Sequence, residues 1–321
     1  MRYSRFLFSG ALAVFCLSAE TAFAVDPSYV RSDGSDSNAC TLVAPCKTLQ
    51  KAHDVTDDGG SIYALDATAD YGRLTITKGI TIYAPTNDPS QRPSISVSTG
   101  NAITVSAASN DTVTLVNMQL DGQNAANNGI QFNSGFELRV FGGVIRKFKA
   151  AAPNGFGIKF APAAVSKLLV QESTLIGNGV ASTGGGIQIA PVGGGAQVLL
   201  SHIRSELNGF GFAIDTSGSP ANSGVNAVVN GGEIHANRVD GVVVVGGAPA
   251  GVLVKDATIF ANAGYGVRAI GTGISARLYQ TAIAGNGTGV AGVSGGAVLS
   301  YGNNSIDANG TNGTVASIPQ K

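Results

Sequence analysis

From Val113 to Asn309 the chain repeats one phrase eight times at a spacing of 23 to 30 residues: apolar-x-apolar, a turn, Ile or Leu, then Asn, then Gly-apolar-x-apolar. Two clear copies are Val252 to Ile259 with Asn262 and Gly266-Val267, and Ala276 to Ile283 with Asn286 and Gly289-Val290. A unit of this length cannot bury its apolar side chains alone, so such chains stack their repeats into a solenoid. Composition agrees, since 45 Gly, no Trp and 12% charged residues suit tight coils whose corners need positive φ or close backbone approach.

Taking the Ile/Leu position as zero aligns Leu120, Ile145, Leu175, Ser205, Ile234, Ile259, Ile283 and Ile306. Five and seven residues earlier stand Leu168/Val170, Val198/Leu200, Ala227/Val229 and Val252/Val254, a period-two pattern expected to face inward. Three residues after zero, Asn recurs as Asn178, Asn208, Asn237, Asn262, Asn286 and Asn309. A residue at one fixed place in every repeat is structural. These asparagines are expected to bond the neighbouring coil's backbone and to tolerate an unusual turn conformation.

Upstream, Arg2 and Arg5, the apolar run Phe6 to Leu17 and Ala22-Phe23-Ala24 have the form of a cleavable export signal over residues 1–24. No later segment reaches the roughly 20 apolar residues that a membrane span needs. Export favours a disulfide between Cys40 and Cys46 over a metal site. Removing Arg2, Arg5 and Glu20 with the signal takes the 20 basic and 20 acidic residues to 18 and 19, a balance that implies neither nucleic acid nor an anionic membrane surface. After Pro45, Leu49, Ala52 and Val55 recur at helical spacing and predict a short amphipathic helix within Lys47 to Val55 that plugs the open end of the solenoid. His53 on it reads as cap packing rather than as a ligand. From Gly59 short strands begin, and Thr86 to Pro93, with two prolines, reads as a projecting loop.

These repeats, together with the lead-in Asp33-Gly-Ser-Asp-Ser-Asn-Ala-Cys40-Thr-Leu-Val-Ala-Pro-Cys46-Lys-Thr-Leu, resemble the right-handed parallel β-helix proteins of the pectin-lyase-like superfamily, in particular bacterial secreted members with generic β-helix repeats. The resemblance covers roughly residues 59–315. It implies an all-β, single-domain right-handed parallel β-helix, divided into a signal peptide (1–24), an N-terminal cap with disulfide and short helix (25–58), the β-helix (59–315) and a C-terminal tail (316–321). Many members are polysaccharide lyases or hydrolases. The Asn-Thr-Asp, Gly-His-Gly and Arg-Ile-Lys segments of polygalacturonase-like members do not occur here, and Asp57-Asp58, the one Asp-Asp, falls at the exit of the predicted helix. No catalytic residue carries over, and fold by itself does not assign function.

Parallel coils stack about 4.8 Å apart, so register places Glu172 beside His202, Arg204 beside Glu233, Glu206 beside His235, and Asp121 beside Arg146. Glu172, His202, Arg204, Glu206 and His235 form the densest polar constellation in a charge-poor chain. As an acid/base set they would cleave a glycan, with Arg204 holding a uronate. As ordinary cross-strand ion pairs each is worth under about 1 kcal/mol, and this plainer reading is favoured. Two outward rows also stand out. Leu169, Leu199, Val228 and Leu253 form an aliphatic row, to be covered by a loop of the chain or by a partner. Gln131, Lys159, Gln188, Ala213, Val243 and Arg268 form a row that starts polar and suits a shallow sugar-binding groove, but it contains no aromatic side chain to stack on a sugar.

The functional expectation is an exported β-helix protein that binds a glycan or a surface partner at or outside the cell envelope. Its rival is a polysaccharide lyase or glycoside hydrolase acting on an acidic polysaccharide. No cofactor or metal is expected, with Ca²⁺ entering only under the lyase reading. Neither nucleic acid nor a membrane span is implied, and the sequence sets no oligomeric state.

Overall fold

The computed structural model describes residues 26–66, 69–84, 92–180 and 182–320. The export signal predicted over 1–24 and most of the loop predicted at Thr86 to Pro93 lie outside them. The chain winds as a right-handed parallel β-helix. Each full coil holds three strands, as in Glu137–Phe141, Val144–Arg146 and Phe156–Phe160. The first two series merge into a 19-stranded sheet that turns a corner, and the third forms a nine-stranded sheet opposite.

The predicted register holds throughout. Leu120, Ile145, Leu175, Ser205, Ile234, Ile259, Ile283 and Ile306 are successive partners, and Ile95 adds an earlier coil to the same column. Leu168, Val170, Leu200, Val229, Val252 and Val254 are all buried in one continuous core. Inside it Phe132 stacks on Phe160 with ring centroids 4.3 Å apart. Removing this apolar surface from water, at about 25 cal/mol per Å², is the main force holding the coils together.

The Asn ladder is built as the repeat predicts. Asn237 Oδ1 accepts from Asn208 N at 3.1 Å, while Asn237 Nδ2 donates to Ser205 O at 3.2 Å and to Asn262 Oδ1 at 2.8 Å. Phe148 takes the rung position one coil earlier, its N–H donating to Asn178 Oδ1 at 3.1 Å. Asn312 closes the other end, its Oδ1 accepting from Asn309 N at 3.3 Å and Nδ2 at 3.1 Å. One expectation needs correcting. The left-handed conformation belongs to the residue before each rung, at Lys147 before Phe148 and at Gly177, Leu207, Ala236, Ala261, Gly285 and Ala308 before the asparagines, and the asparagines supply the hydrogen bonds alone. The glycine of the repeat is explained by the same packing. A Cβ at Gly211 would lie 2.4 Å from Ile234 Cγ2, 2.5 Å from Gly241 O and 2.9 Å from Asn237 Nδ2. Ile, Asn and Gly are thus three parts of one contact.

At the N-terminal end, helix α1 (Leu49–Val55) starts after Thr48, whose hydroxyl accepts from Lys51 N at 3.1 Å. The start is later than Pro45 suggests, because the Thr48 cap supplies an acceptor for an unpaired N–H of the first turn. Cys40 and Cys46 form the expected disulfide. The helix covers the first strand of the nine-stranded sheet, Leu74–Ile76. Gln50 Oε1 accepts from Thr75 N at 2.8 Å and Gln50 Nε2 donates to Thr75 O at 3.2 Å, while His53 Nε2 accepts from Thr77 N at 3.2 Å. These two side chains replace a missing strand and blunt the edge. Asp58 Oδ1 accepts from Gly79 N at 2.9 Å, so the Asp57-Asp58 pair belongs to the helix exit.

Candidate functional site

The polar part of the outward row on the nine-stranded sheet lies in a groove of about 600 Å³. Gln131, Lys159 and Gln188 are strict register partners on three successive coils and therefore stand about 4.8 Å apart. The loop holding Pro153 and Asn154 forms one wall, and Ala163 and Val192 belong to the other. The aromatic groups missing from the row come from the start of the same strands. Phe156, Gly185 and Phe210 are register partners, so two phenyl rings flank a glycine notch at the groove's edge. A Cβ at Gly185 would lie 2.4 Å from Phe210 O, which keeps the notch open.

Lys159 is the one charged side chain lining this groove among the described residues. Its Nζ donates to Pro153 O at 2.7 Å, and burial lowers its pKa from the ordinary lysine value. Asn128, fully buried, sets the polar wall: its Nδ2 lies 3.2 Å from Gln131 Oε1 and 3.1 Å from Asn154 Oδ1, and its Oδ1 accepts from Phe156 N at 3.0 Å. Gln188 Oε1 is buried without a hydrogen-bond partner among the described residues. Sequence reasoning found the row but missed Asn128, Asn154, Phe156 and Phe210. The available signal was the coil register applied to the residue three places before Lys159.

Further along the same sheet, Arg268 is not free for a ligand. It bonds the buried Asp240 at 2.5 Å and stacks over Tyr265 at 4.6 Å. Asp240 also accepts from Tyr265 N at 2.9 Å, and burial raises its pKa against the pull of these two partners.

The Glu/His constellation separates into two places. Arg204, Glu206 and His235 meet on the outer face of the short-strand series: Arg204 Nη2 lies 2.8 Å from Glu206 Oε2, and His235 Nε2 lies 3.0 Å from the same oxygen. Glu233 joins more loosely, 4.0 Å from Arg204 and 3.9 Å from His235. The side chains of Arg204 and Glu233 are 53% and 59% exposed, so this is an open face and solvent screens its charges. Glu172 and His202 occupy the corner before it, both with φ of 50°. Each bonds its own chain neighbour, Gln171 Nε2 to Glu172 Oε1 at 3.4 Å and Ser201 Oγ with His202 Nδ1 at 3.0 Å. Asp121 and Arg146 form the predicted pair at 2.8 Å. No group of three or more His, Cys, Asp or Glu side chains among the described residues is placed to hold a metal ion.

No protein-family model matches the chain, and no curated protein is similar to it in sequence. Among solved structures it is similar to the periplasmic alginate epimerase AlgG, in a double-mutant form, at 15% identity and a TM-score of 0.48, over 81% of this chain and 70% of that one. It is also similar to the A-module of the Azotobacter vinelandii mannuronan C-5 epimerase AlgE4, at 12% identity and a TM-score of 0.36, over 82% of this chain and 91% of that one. The winding described above rests on strand register, and no activity is carried over from these likenesses.

Proposed function

We propose that this protein is an exported glycan-binding β-helix that holds an extended saccharide in the groove on its nine-stranded sheet, with an acidic sugar facing Lys159. The observation that carries this reading is the register itself, which lines up Gln131, Lys159 and Gln188 beside Phe156 and Phe210. Amides serve hydroxyl groups, an ammonium serves a carboxylate, and phenyl faces serve the C–H faces of sugars, a mix of apolar walls and few polar groups usual for ligand sites. The strand spacing of about 4.8 Å is close to the advance of one sugar residue along an extended chain. A disulfide in the cap fits an oxidising compartment.

Calorimetric titration with uronate and neutral oligosaccharides tests the reading. Lys159→Gln should weaken uronate binding about ten-fold, the loss of one charge-assisted contact, and leave neutral saccharides nearly unchanged. Phe210→Ala should weaken both. The reading fails if no saccharide binds, or if neither variant alters binding.

A second reading, glycan cleavage by Arg204, Glu206 and His235 assisted by Glu172 and His202, has one observation in its favour, the 3.0 Å contact of Glu206 with His235. Its test is release of unsaturated products or reducing ends from the same polysaccharides. Release that persists unchanged in a His202→Ala/His235→Ala double variant removes this set.

A further inference from the structure

We propose a second binding site, in the cleft between the C-terminal tail and the outer face of the 19-stranded sheet, for an amphipathic organic anion. The cleft measures about 650 Å³, within the usual range for small-molecule sites. Register builds its floor. Leu253, Arg277 and Leu299 are partners on three successive coils, with Lys255 beside Tyr279 on the adjoining row. The wall is the tail itself: Ala316–Ser317 adds a strand to Ala297–Ser300, Ile318 N donates to Ser300 O at 2.9 Å, and Ile318 with Pro319 then lines the cleft. Tyr279 and Tyr301 close one side in an edge-to-face pair with centroids 6.0 Å apart.

Charge decides what such a cleft takes. It contains two cations and no carboxylate among its described lining residues. Lys255 has only a 3.6 Å contact with Asp256, which is 47% exposed, and such pairs are worth little. No acidic partner stands against Arg277 among the described residues. Its guanidinium reaches back over Gly251, where a Cβ would stand 3.5 Å from Nη1, and so lies above the Leu253 coil. An inorganic anion would use the cations and leave Leu253, Leu299 and Ile318 wet. A neutral apolar molecule would cover the leucines and desolvate the two cations, which is costly. A ligand with an acidic head on an apolar body satisfies both halves. The aliphatic row supports this choice: Leu169, Leu199 and Val228 continue from Leu253 in strict register, and Leu199 is 41% exposed, so an apolar body extends away from the cations along uncovered surface.

The full chain is titrated with anilinonaphthalene sulfonate, followed by fluorescence, and with its neutral analogue phenylnaphthylamine. Saturable binding of the sulfonate is expected, displaced by palmitate and not by inorganic sulfate. Arg277→Gln/Lys255→Gln should weaken the sulfonate about ten-fold and the neutral probe hardly at all, with an unchanged melting curve. Leu299→Asn should weaken both probes. Saccharide binding at Lys159 lies on the other sheet and should be unaffected, so the two sites fail or stand separately. The proposal is overturned if the charge variant leaves sulfonate binding unchanged, if the neutral probe binds the native chain as tightly as the sulfonate, or if inorganic sulfate displaces it.

Discussion

Asn237 shows how much one residue of the repeat holds. Its side chain accepts from the Asn208 backbone and donates to Ser205 O and Asn262 Oδ1 in a fully buried position. Asn237→Ala leaves the buried Asn208 N–H without its acceptor and takes one donor each from Ser205 O and from Asn262 Oδ1, which keeps the Asn237 N–H, so unfolding in urea should show a loss of about 3 kcal/mol. Asn309, at the exposed end of the ladder, should lose clearly less when changed in the same way. The ladder was legible in the sequence because it recurs. Glu172 and His202 were less so. Register placed them as neighbours, but both fall at the corner where eight successive coils take positive φ, from Asn117 and Gly142 to Gln280 and Gly302. There each bonds its own chain neighbour, Gln171 or Ser201, while Arg204, Glu206 and His235 bond one another.

Helix α1 is the element whose role is tied most closely to protonation. His53 Nε2 accepts from Thr77 N, so the fold needs the imidazole neutral there, with its Nδ1 3.1 Å from Asp54 Oδ1. Burial, with Lys78 nearby, lowers its pKa from the ordinary 6.5, against the opposing pull of Asp54. With the folded value below the unfolded one, the unfolded chain takes up the proton first as pH falls. The contribution of His53 is therefore whole above about pH 6.5 and is lost as pH drops toward the folded pKa. Thermal unfolding between about pH 7 and pH 5 should show this loss in the native chain, and His53→Leu should be less stable at pH 7 but flatter across the range. Reducing Cys40–Cys46 should cost the cap about 2 kcal/mol, as expected for so short a loop, and should leave the coils beyond the first few protected in hydrogen exchange. The sequence showed an amphipathic helix at this end, but not that Gln50 and His53 stand in for a strand, because the edge they meet is about 25 residues downstream.

At the scale of the molecule, each coil touches mainly the coils before and after it, so stability is a sum over neighbours. Removing residues 238–262 joins Asn237 to Ala263 in the place Asn262 occupied, which preserves ladder and core register. This shortened chain should give a native-like β circular dichroism spectrum and keep saccharide binding at Lys159, while losing Leu253 and Lys255 and with them the second cleft. Removing only half of that segment should leave the later coils without protection in hydrogen exchange, since inward and outward residues then exchange places. By itself the sequence determined the winding, the strand register, the inward column and the Asn ladder, because all of these repeat, and periodicity is read without knowing where any coil lies in space. Only the tertiary structure decided that Phe156 and Phe210 line the same groove as Lys159, that Arg268 is taken up by Asp240, and that the tail reaches the leucine row no further than Leu253 and Leu299. Loops, corners and tail differ from coil to coil, so their positions follow from packing in three dimensions, and each site is made where those non-repeating parts meet the repeating scaffold.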